Sequence, residues 1–300
     1  DLKKGALETD IKSLKKAARQ TVSPELEKRI QIIIETGLID LENDFKIYWK
    51  DSPIARLSSG RDYLNPNIEL IVDDILEKNQ SQKLLEFLEN WLKNKINTTL
   101  KSLIDLKNLK EKNSSMKALA YQLYENNGVL KREQVSEYLK KLGQNERKIL
   151  RDLGVKFGRY HVFLHRLIKP DAVSLRTLLW KNYNQKNFSL KPPTFGLNFL
   201  DNNKVKDRNF MLLCGFEKFE NFFVRIDILE RLFVQIINSS SEKEKQVKMM
   251  PEMLNLLGCN KENFKKLLKS MNYIVLEKND ETYFKYKPKK IFKKADKKIE

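Results

Sequence analysis

The sequence predicts a mainly α protein: a helical bundle-like platform with short β-hairpins and a C-terminal winged-helix-like unit. Three observations support this fold class. Apolar residues recur at spacings of three and four over about a hundred residues after Pro66. Short β-rich runs border turn residues near 45–57. Near the end of the sequence, two short helical patterns precede two β-rich runs joined by Asn279-Asp280, which is a winged-helix order.

The first part of the chain contains two amphipathic patterns, which predict helices over 7–18 and 25–36. Ser23 is a suitable N-cap, Pro24 fits the first turn, and Gly37 ends the second helix. Two β-rich runs at 45–49 and 54–57 predict a two-stranded hairpin. Because an isolated hairpin is only marginally stable, we expect it to pack on the helices.

Helical patterns then dominate as far as residue 153. Further helices are predicted over 114–124, 132–142 and 144–153, separated by Asn127-Gly128 and Gly143. Short helices at this spacing fit a helix-turn-helix that recognises DNA, and they equally fit many bundles without that function. A longer apolar face before them is expected to enter the core, and its residues are Leu84, Leu85, Leu88, Leu92, Ile96 and Leu100.

A change of character after residue 182 divides the chain. The polar stretch 182–204 contains Pro192-Pro193 and Gly196 in place of helical periodicity. The sequence therefore predicts a mainly helical accessory domain over 1–186, a linker or exposed loop over 187–204, and a small α+β domain over 205–287. Residues 288–300 are too rich in lysine to be buried, and they predict a mobile basic tail.

The small domain contains β-rich runs at 210–216 and 222–225, which predict another hairpin before a helix over 228–237. Pro251 then begins a helix that Gly258 ends, and Asn260 caps a helix over 261–270. The runs 273–276 and 282–286 are predicted to pair. These last elements make up the winged-helix-like unit.

Composition indicates the kind of partner. The 58 Lys and Arg residues exceed the 40 Asp and Glu residues, giving a net charge of +18, which is typical of a protein that binds a polyanion. No apolar run approaches the roughly 20 residues that span a bilayer, so the sequence predicts no membrane partner. With two cysteines and no signal-peptide pattern, we expect reduced thiols in the bacterial cytoplasm or an equivalent reducing compartment.

The stretch 153–180 alternates aromatic and basic residues at helical spacing, which predicts one apolar stripe with positive flanks. Such a stripe is either a core face or a surface on which bases stack. The first candidates for nucleic-acid contacts are Lys156, Arg159, Tyr160, His161, Arg166 and Lys169. The second candidates, on the predicted helix 261–270, are Lys261, Lys265, Lys266 and Lys269. For both sets the alternative is a solvated face that only keeps the protein soluble.

Ordered motifs from about residue 45 to about residue 275 resemble a known family. They are Pro53–Leu57, Ala120–Leu123, Asn127–Leu130, Leu153–Gly158, Leu167–Pro170, Leu178–Trp180, Cys214–Phe216, Arg225–Arg231 and Leu256–Cys259. The chain resembles the region C-terminal to the motor in superfamily-2 ATP-dependent RNA helicases of the mitochondrial degradosome type, and more closely their bacterial relatives. It departs from the pattern at His165, where many relatives have proline.

The resemblance implies a non-motor region that binds and guides single-stranded RNA or DNA. It implies ATP and Mg²⁺ only for motor domains upstream in the same chain, because the sequence contains no G-x-x-x-x-G-K-[ST] loop. The first residue is Asp1, so we expect a fragment or a processed product. The alternative function is an interaction scaffold that docks a nuclease or another RNA-degradation partner.

Catalytic and metal-binding chemistry is weakly indicated. His161 and His165 are four apart and would share one helical face, but no third ligand accompanies them. Two acidic clusters, at 40–44 and 73–77, could bind Mg²⁺ or be solvated surfaces. We therefore predict no catalytic residue, no metal site and no cofactor within this chain.

Overall fold

A computed structural model of the chain describes residues 23–71, 76–110, 114–185, 189–201, 207–220, 222–240 and 246–287. Helices account for 53% of the structure and strands for 24%, and the strands form four small antiparallel sheets. The predicted mainly α class is therefore wrong, and the fold mixes both kinds of element. The predicted helix over 7–18, the basic tail over 288–300 and the acidic pair Asp73-Asp74 lie outside the described residues.

The helices are α1 (23–36), α2 (Lys78–Thr99), α3 (Lys101–Lys107), α4 (Ser114–Glu125), α5 (Ser136–Lys141), α6 (Gln144–Asp152), α7 (Pro170–Asn184), α8 (Arg208–Leu213), α9 (Ile226–Asn238), α10 (Pro251–Leu257) and α11 (Lys261–Ser270). The strands are β1 (Ile39–Leu41), β2 (Lys46–Trp49), β3 (Ser52–Asp62), β4 (Asn65–Leu70), β5 (Val129–Lys131), β6 (Val155–Phe157), β7 (His161–Leu164), β8 (Phe199–Asp201), β9 (Phe216–Lys218), β10 (Phe222–Arg225), β11 (Val247–Lys248), β12 (Tyr273–Lys278) and β13 (Glu281–Tyr286). Short 3₁₀ helices cover Arg132–Val135 and His165–Ile168.

The chain divides into two compact units, of which the first contains residues 1–101 and 174–191. Its sheet has the order β1-β2-β3-β4. The predicted hairpin near 45–57 is confirmed by the antiparallel pairing of Ile47 with Ala55, within a larger sheet than expected. The predicted apolar face of α2 is also confirmed, because Leu84, Leu88 and Leu92 are buried.

The second unit contains residues 102–173 and 192–300, and one order of elements is repeated along it. The first repeat is α4, β5, α5, α6 and the hairpin β6–β7. The third is α9, β11, α10, α11 and the hairpin β12–β13. The second repeat, between these two, consists of α7, β8, α8 and the hairpin β9–β10. Helix α7 begins in the second unit and ends in the first. The sheets have equivalent orders, β5-β7-β6, β8-β10-β9 and β11-β13-β12.

The three repeats also share a backbone feature at the start of each hairpin. The residue before the hairpin's first strand is left-handed in each case: Gly154 has φ 92°, Gly215 has φ 82° and Asn272 has φ 65°. This conformation strains most side chains but is accessible to glycine and asparagine. The helix–turn–helix–hairpin order predicted for 251–286 is thus confirmed, and related orders occur twice more upstream.

The predicted helical stripe in 153–180 is wrong over its first part, because residues 155–164 form the hairpin β6–β7. Lys156 pairs with Phe163 and Phe157 with Val162. All four side chains of the central strand β7 are buried. A strand covered on both faces has a continuous apolar run, which periodicity alone does not distinguish from a buried helix.

The predicted hairpin over 210–225 is partly wrong, because Phe210–Leu213 belongs to α8. The Asp207 carboxylate accepts a hydrogen bond from the Phe210 N–H at 2.8 Å, and this N-cap starts the helix. Only the later residues form the hairpin β9–β10. Strand β8 pairs with β10 and lies inside the range predicted as a linker.

The third repeat encloses its own core. Leu232 of α9 packs in one cluster with Leu257 of α10, Phe264 of α11 and Phe284 of β13, each of them less than 1% exposed. Burial of such side chains stabilises a unit by roughly 1.5–3 kcal/mol per residue before chain entropy is counted. None of the helices in the described part of the chain is long and apolar enough to cross a membrane.

Candidate nucleic-acid interface

The turn between β6 and β7 is held by a carboxylate from α9. Glu230 Oε2 accepts a hydrogen bond from the Arg159 N–H at 2.5 Å, and Oε1 accepts from the N–H groups of Tyr160 at 2.9 Å and His161 at 2.8 Å. A Cβ at Gly158 would lie 2.3 Å from Glu230 Cδ, so glycine is needed for this approach. The turn therefore presents Arg159 and Tyr160 from a fixed backbone.

His161 lies beneath that turn and is only 2% exposed. Its Nε2 is 2.9 Å from Glu217 Oε2 and its Nδ1 is 3.4 Å from Glu230 Oε1. Burial lowers the pKa of His161, but the hydrogen bonds and charges of the two carboxylates outweigh burial and raise that pKa above its usual value. The predicted contact residue His161 is thus enclosed by protein carboxylates.

The carboxylate of Glu217 is itself only 3% exposed. Burial raises its pKa, yet hydrogen bonding and charge from His161, with the charges of Lys131 and Arg208, lower the pKa overall. Lys131 Nζ lies 3.5 Å and Arg208 Nη2 lies 3.6 Å from Glu217 Oε1. This buried cluster ties β7 to β9 and, through Glu230, to α9.

Two cavities share part of their walls at the anchored turn, because Arg159, Tyr160 and Tyr286 line both of them. We call their combined surface the Tyr160 groove. The polar cavity has a volume of about 430 Å³ and is lined also by Lys131, Arg132, Glu133, Phe219 and Asn272. The apolar cavity has a volume of about 710 Å³ and is lined also by Phe233, Ile237, Tyr273, Phe284 and Lys285.

Aromatic rings line the groove in contact with one another. The rings of Tyr160 and Phe233 meet edge to face with centroids 5.6 Å apart, and those of Tyr273 and Tyr286 are 5.4 Å apart. The Arg159 guanidinium lies 5.6 Å from the Phe233 centroid. Tyr286 is 48% exposed, so its ring is accessible at the rim.

The remaining first candidates lie elsewhere on the same unit. Lys156, Arg166 and Lys169 are exposed. Burial lowers the pKa of His165, and the positive charges of Lys169 and Lys156 lower it further against the opposing effect of Asp227. Lys169 and His165 line a small cavity of about 140 Å³, and Lys156 acts on His165 through its charge, while Arg159 and Tyr160 belong to the groove.

The second candidates lie on α11. Lys261, Lys266 and Lys269 are exposed, whereas Lys265 is partly buried. Lys265 Nζ lies 2.5 Å from Glu277 Oε1 and 3.2 Å from Glu262 Oε1. Part of the positive charge of α11 is therefore balanced by carboxylates of the same repeat.

Sequence reasoning missed several residues of the groove. Lys131 and Arg132 follow the Asn127-Gly128 turn, and Lys285-Tyr286-Lys287 alternates charge with an aromatic ring, which was an available signal. Arg132 also supports the turn, because its Nη1 donates a hydrogen bond to Gly158 O at 2.8 Å. No linear pattern indicated Glu230 as the anchor.

The predicted shared helical face of His161 and His165 is wrong, because His161 belongs to β7 and His165 to a 3₁₀ helix. Among the residues that the structure describes, no group of three or more His, Cys, Asp or Glu side chains could hold a metal ion.

No protein-family model, curated protein or solved structure matches this chain.

Proposed function

We propose that this chain binds and guides single-stranded nucleic acid along the Tyr160 groove, as the non-motor C-terminal region of an ATP-dependent RNA or DNA helicase. The observation that carries the binding proposal is that basic and aromatic side chains line the same two cavities. Arg159 and Tyr160 come from the anchored turn, Arg132 from the polar cavity, and Lys285 and Tyr286 from β13.

The chemistry of the groove suits a single strand. Exposed aromatic rings stack on bases, at roughly 1–3 kcal/mol per base, without selecting a sequence. Basic side chains neutralise phosphates and release condensed counterions, which makes such binding strongly dependent on salt. The net charge of +18 adds a long-range attraction for any polyanion.

The helicase context rests on the ordered motifs that resemble the C-terminal regions of superfamily-2 RNA helicases. In that context, ATP and Mg²⁺ belong to motor domains upstream in the chain, and this region binds the single strand and guides it relative to the motor. We also propose a reducing compartment such as the bacterial cytoplasm, because the sequence has only two cysteines and no signal-peptide pattern.

The test is fluorescence anisotropy of a labelled single-stranded RNA, and of the matching DNA, titrated with the chain across a salt series. The test variant is Arg159→Ala with Lys285→Ala. The control is Lys78→Ala with Lys93→Ala, which removes the same charge from exposed positions on α2. We expect the test pair to weaken binding and to reduce the slope against log salt by about 0.7 for each phosphate that is no longer neutralised.

Absence of binding by the parent chain at low salt would overturn the proposal. Equal weakening in the control would mean that the groove is not the interface and that net charge alone attracts the strand. A difference between RNA and DNA would indicate contacts to the 2′-hydroxyl.

A second candidate function is a docking scaffold for a nuclease or another degradation partner. It is favoured by apolar side chains exposed on α9, since Val234 is 55% and Ile237 is 53% exposed. Lack of nucleic-acid binding in the anisotropy titration would favour this function over the first.

A further inference from the structure

The apolar cavity has the volume of a small-ligand site, and aromatic side chains line it. Its walls come from three elements: the β6–β7 turn with Tyr160, α9 with Phe233 and Ile237, and the hairpin β12–β13 with Tyr273 and Tyr286. The volume of about 710 Å³ lies in the range of roughly 300–1,000 Å³ found for ligand sites. It is large enough to admit a base together with part of its sugar.

The walls offer both stacking and hydrogen bonding. Tyr286 provides an accessible ring at the mouth, and the hydroxyl groups of Tyr160 and Tyr273 lie 3.3 Å apart within the site. Burial raises the pKa of both phenols, so both stay protonated. One O–H is donated to the other hydroxyl, which leaves one O–H donor and acceptor lone pairs for a ligand. A base edge carries donors and acceptors of the kind that these hydroxyl groups can meet.

The charges around the mouth favour a polyanionic ligand over a neutral one. Arg159 and Lys285 border the apolar cavity, and Lys131 and Arg132 border the polar cavity next to it. Two acidic residues of the described part of the chain line these cavities. Glu217 is buried and paired with His161 and Lys131, so Glu133 is the exposed carboxylate that a negatively charged ligand would meet. A strand that placed one base in the apolar cavity would therefore have cations beside its flanking phosphates.

We propose that the apolar cavity holds one unstacked base of a single-stranded nucleic acid, with Tyr286 stacked on it and with Arg159 and Lys285 on the adjacent phosphates. This inference rests on the proposed function and names the subsite that performs it. A base inside a duplex is paired and stacked on both sides, so it cannot enter the cavity without being flipped out. The chain therefore prefers single strands to duplexes of the same length.

The first test uses Tyr286→Ala and Tyr286→Phe in the whole chain, with a single-stranded oligonucleotide whose fluorescence comes from 2-aminopurine. We expect Tyr286→Ala to weaken binding about 5- to 150-fold, the range measured for removal of one base–aromatic stack. The salt slope should stay unchanged, because the variant retains every cation that neutralises a phosphate. Tyr286→Phe should bind within about twofold of the parent, because the ring is retained. The matched control is Tyr121→Ala, since Tyr121 is 63% exposed on α4 and lines neither cavity.

The second test leaves the protein unaltered. Single strands in which one base is replaced by an abasic sugar keep every phosphate but remove one stacking surface. We expect a strand with an abasic site at the bound position to lose affinity to the same degree as Tyr286→Ala, and the two effects not to add.

The outcomes separate this inference from the proposed function. If Tyr286→Ala and the abasic strands bind as the parent pair does, while Arg159→Ala with Lys285→Ala binds weakly, the base site is refuted and the groove remains a phosphate-binding surface. Equal affinity for single strands and duplexes would refute the base site as well. If the parent chain binds no strand at low salt, the proposed function is overturned and the base site with it.

Discussion

Removal of the Glu230 carboxylate is the most direct perturbation of the groove. This side chain is 12% exposed and accepts hydrogen bonds from three consecutive backbone N–H groups, besides its contact with His161. In Glu230→Ala, the three N–H donors lose this acceptor, and His161 loses its Nδ1 partner while it keeps Glu217 at Nε2. We expect the second unit to become less stable and the turn at 158–161 to lose its fixed geometry.

The size of the effect follows from the contacts. Each hydrogen bond to a charged group contributes roughly 1.5–3 kcal/mol, but the contributions share one acceptor and do not add in full. We therefore expect Glu230→Ala to destabilise the unit by about 3–5 kcal/mol, and Glu230→Gln by about 2 kcal/mol, because its amide oxygen still accepts.

The assay is amide hydrogen exchange by mass spectrometry on peptides that cover 155–164, together with urea unfolding followed by circular dichroism. A destabilisation of about 3–5 kcal/mol corresponds to exchange about 10²- to 10⁴-fold faster where local opening controls it. The control is Glu252→Ala, since Glu252 is an exposed carboxylate on α10. Unchanged exchange over 155–164 in Glu230→Ala would refute the anchoring role.

Three further predictions concern the two histidines, two glycines and Cys259. The chain has only two histidines, and NMR titration should show a pKa above about 6.5 for His161 and a pKa below about 6.5 for His165. The contribution of His161 to the free energy of unfolding should be complete below about pH 6.5 and should disappear as the pH rises through the pKa of His161 in the folded state. A free energy of unfolding that stays constant above about pH 6.5 would contradict this. Gly128 has φ 78°, and a Cβ there would lie 2.5 Å from a leucine methyl, so Gly128→Ala should lower the free energy of unfolding by about 2–4 kcal/mol in thermal unfolding. Gly258 has a similar φ of 71° but no atom within 4 Å of such a Cβ, so Gly258→Ala should cost about 1 kcal/mol. Equal costs for the two variants would show that the clash at Gly128 relaxes. Burial raises the pKa of the Cys259 thiol to about 11, so an aromatic disulfide reagent at neutral pH should titrate it slowly in the folded chain and both cysteines rapidly in urea; rapid reaction when folded would contradict the burial.

Several parts of the fold could be predicted from the sequence because neighbouring residues determine them. The stripe of α2 was visible in the spacing of its leucines, and the pairing of β12 with β13 in the turn residues Asn279 and Asp280, whose φ angles are 50° and 60°. Caps such as Asn260, whose side chain accepts from the Asn263 N–H, act within one turn. Such signals need no knowledge of distant contacts.

The candidate site could be predicted only in part. Arg159 and Tyr160 were identified because aromatic and basic residues alternate there. The assignment of that stretch to a helix was wrong, since β7 is a central strand with both faces covered. His161 was chosen for its neighbours in sequence, yet Glu217 and Glu230 enclose its ring. A residue's exposure depends on what packs against it, which local periodicity does not contain.

By itself, the sequence determined the charge of +18, the helix boundaries set by caps and glycines, and the final hairpin. Only the tertiary structure decided which charges and rings lie together. Arg159 meets Glu230 across 71 residues, and Tyr160 meets Tyr273 across 113. Contacts at such separations are selected by the packing of whole helices and sheets, which bury their apolar faces first and so fix the polar groups that meet at the rims.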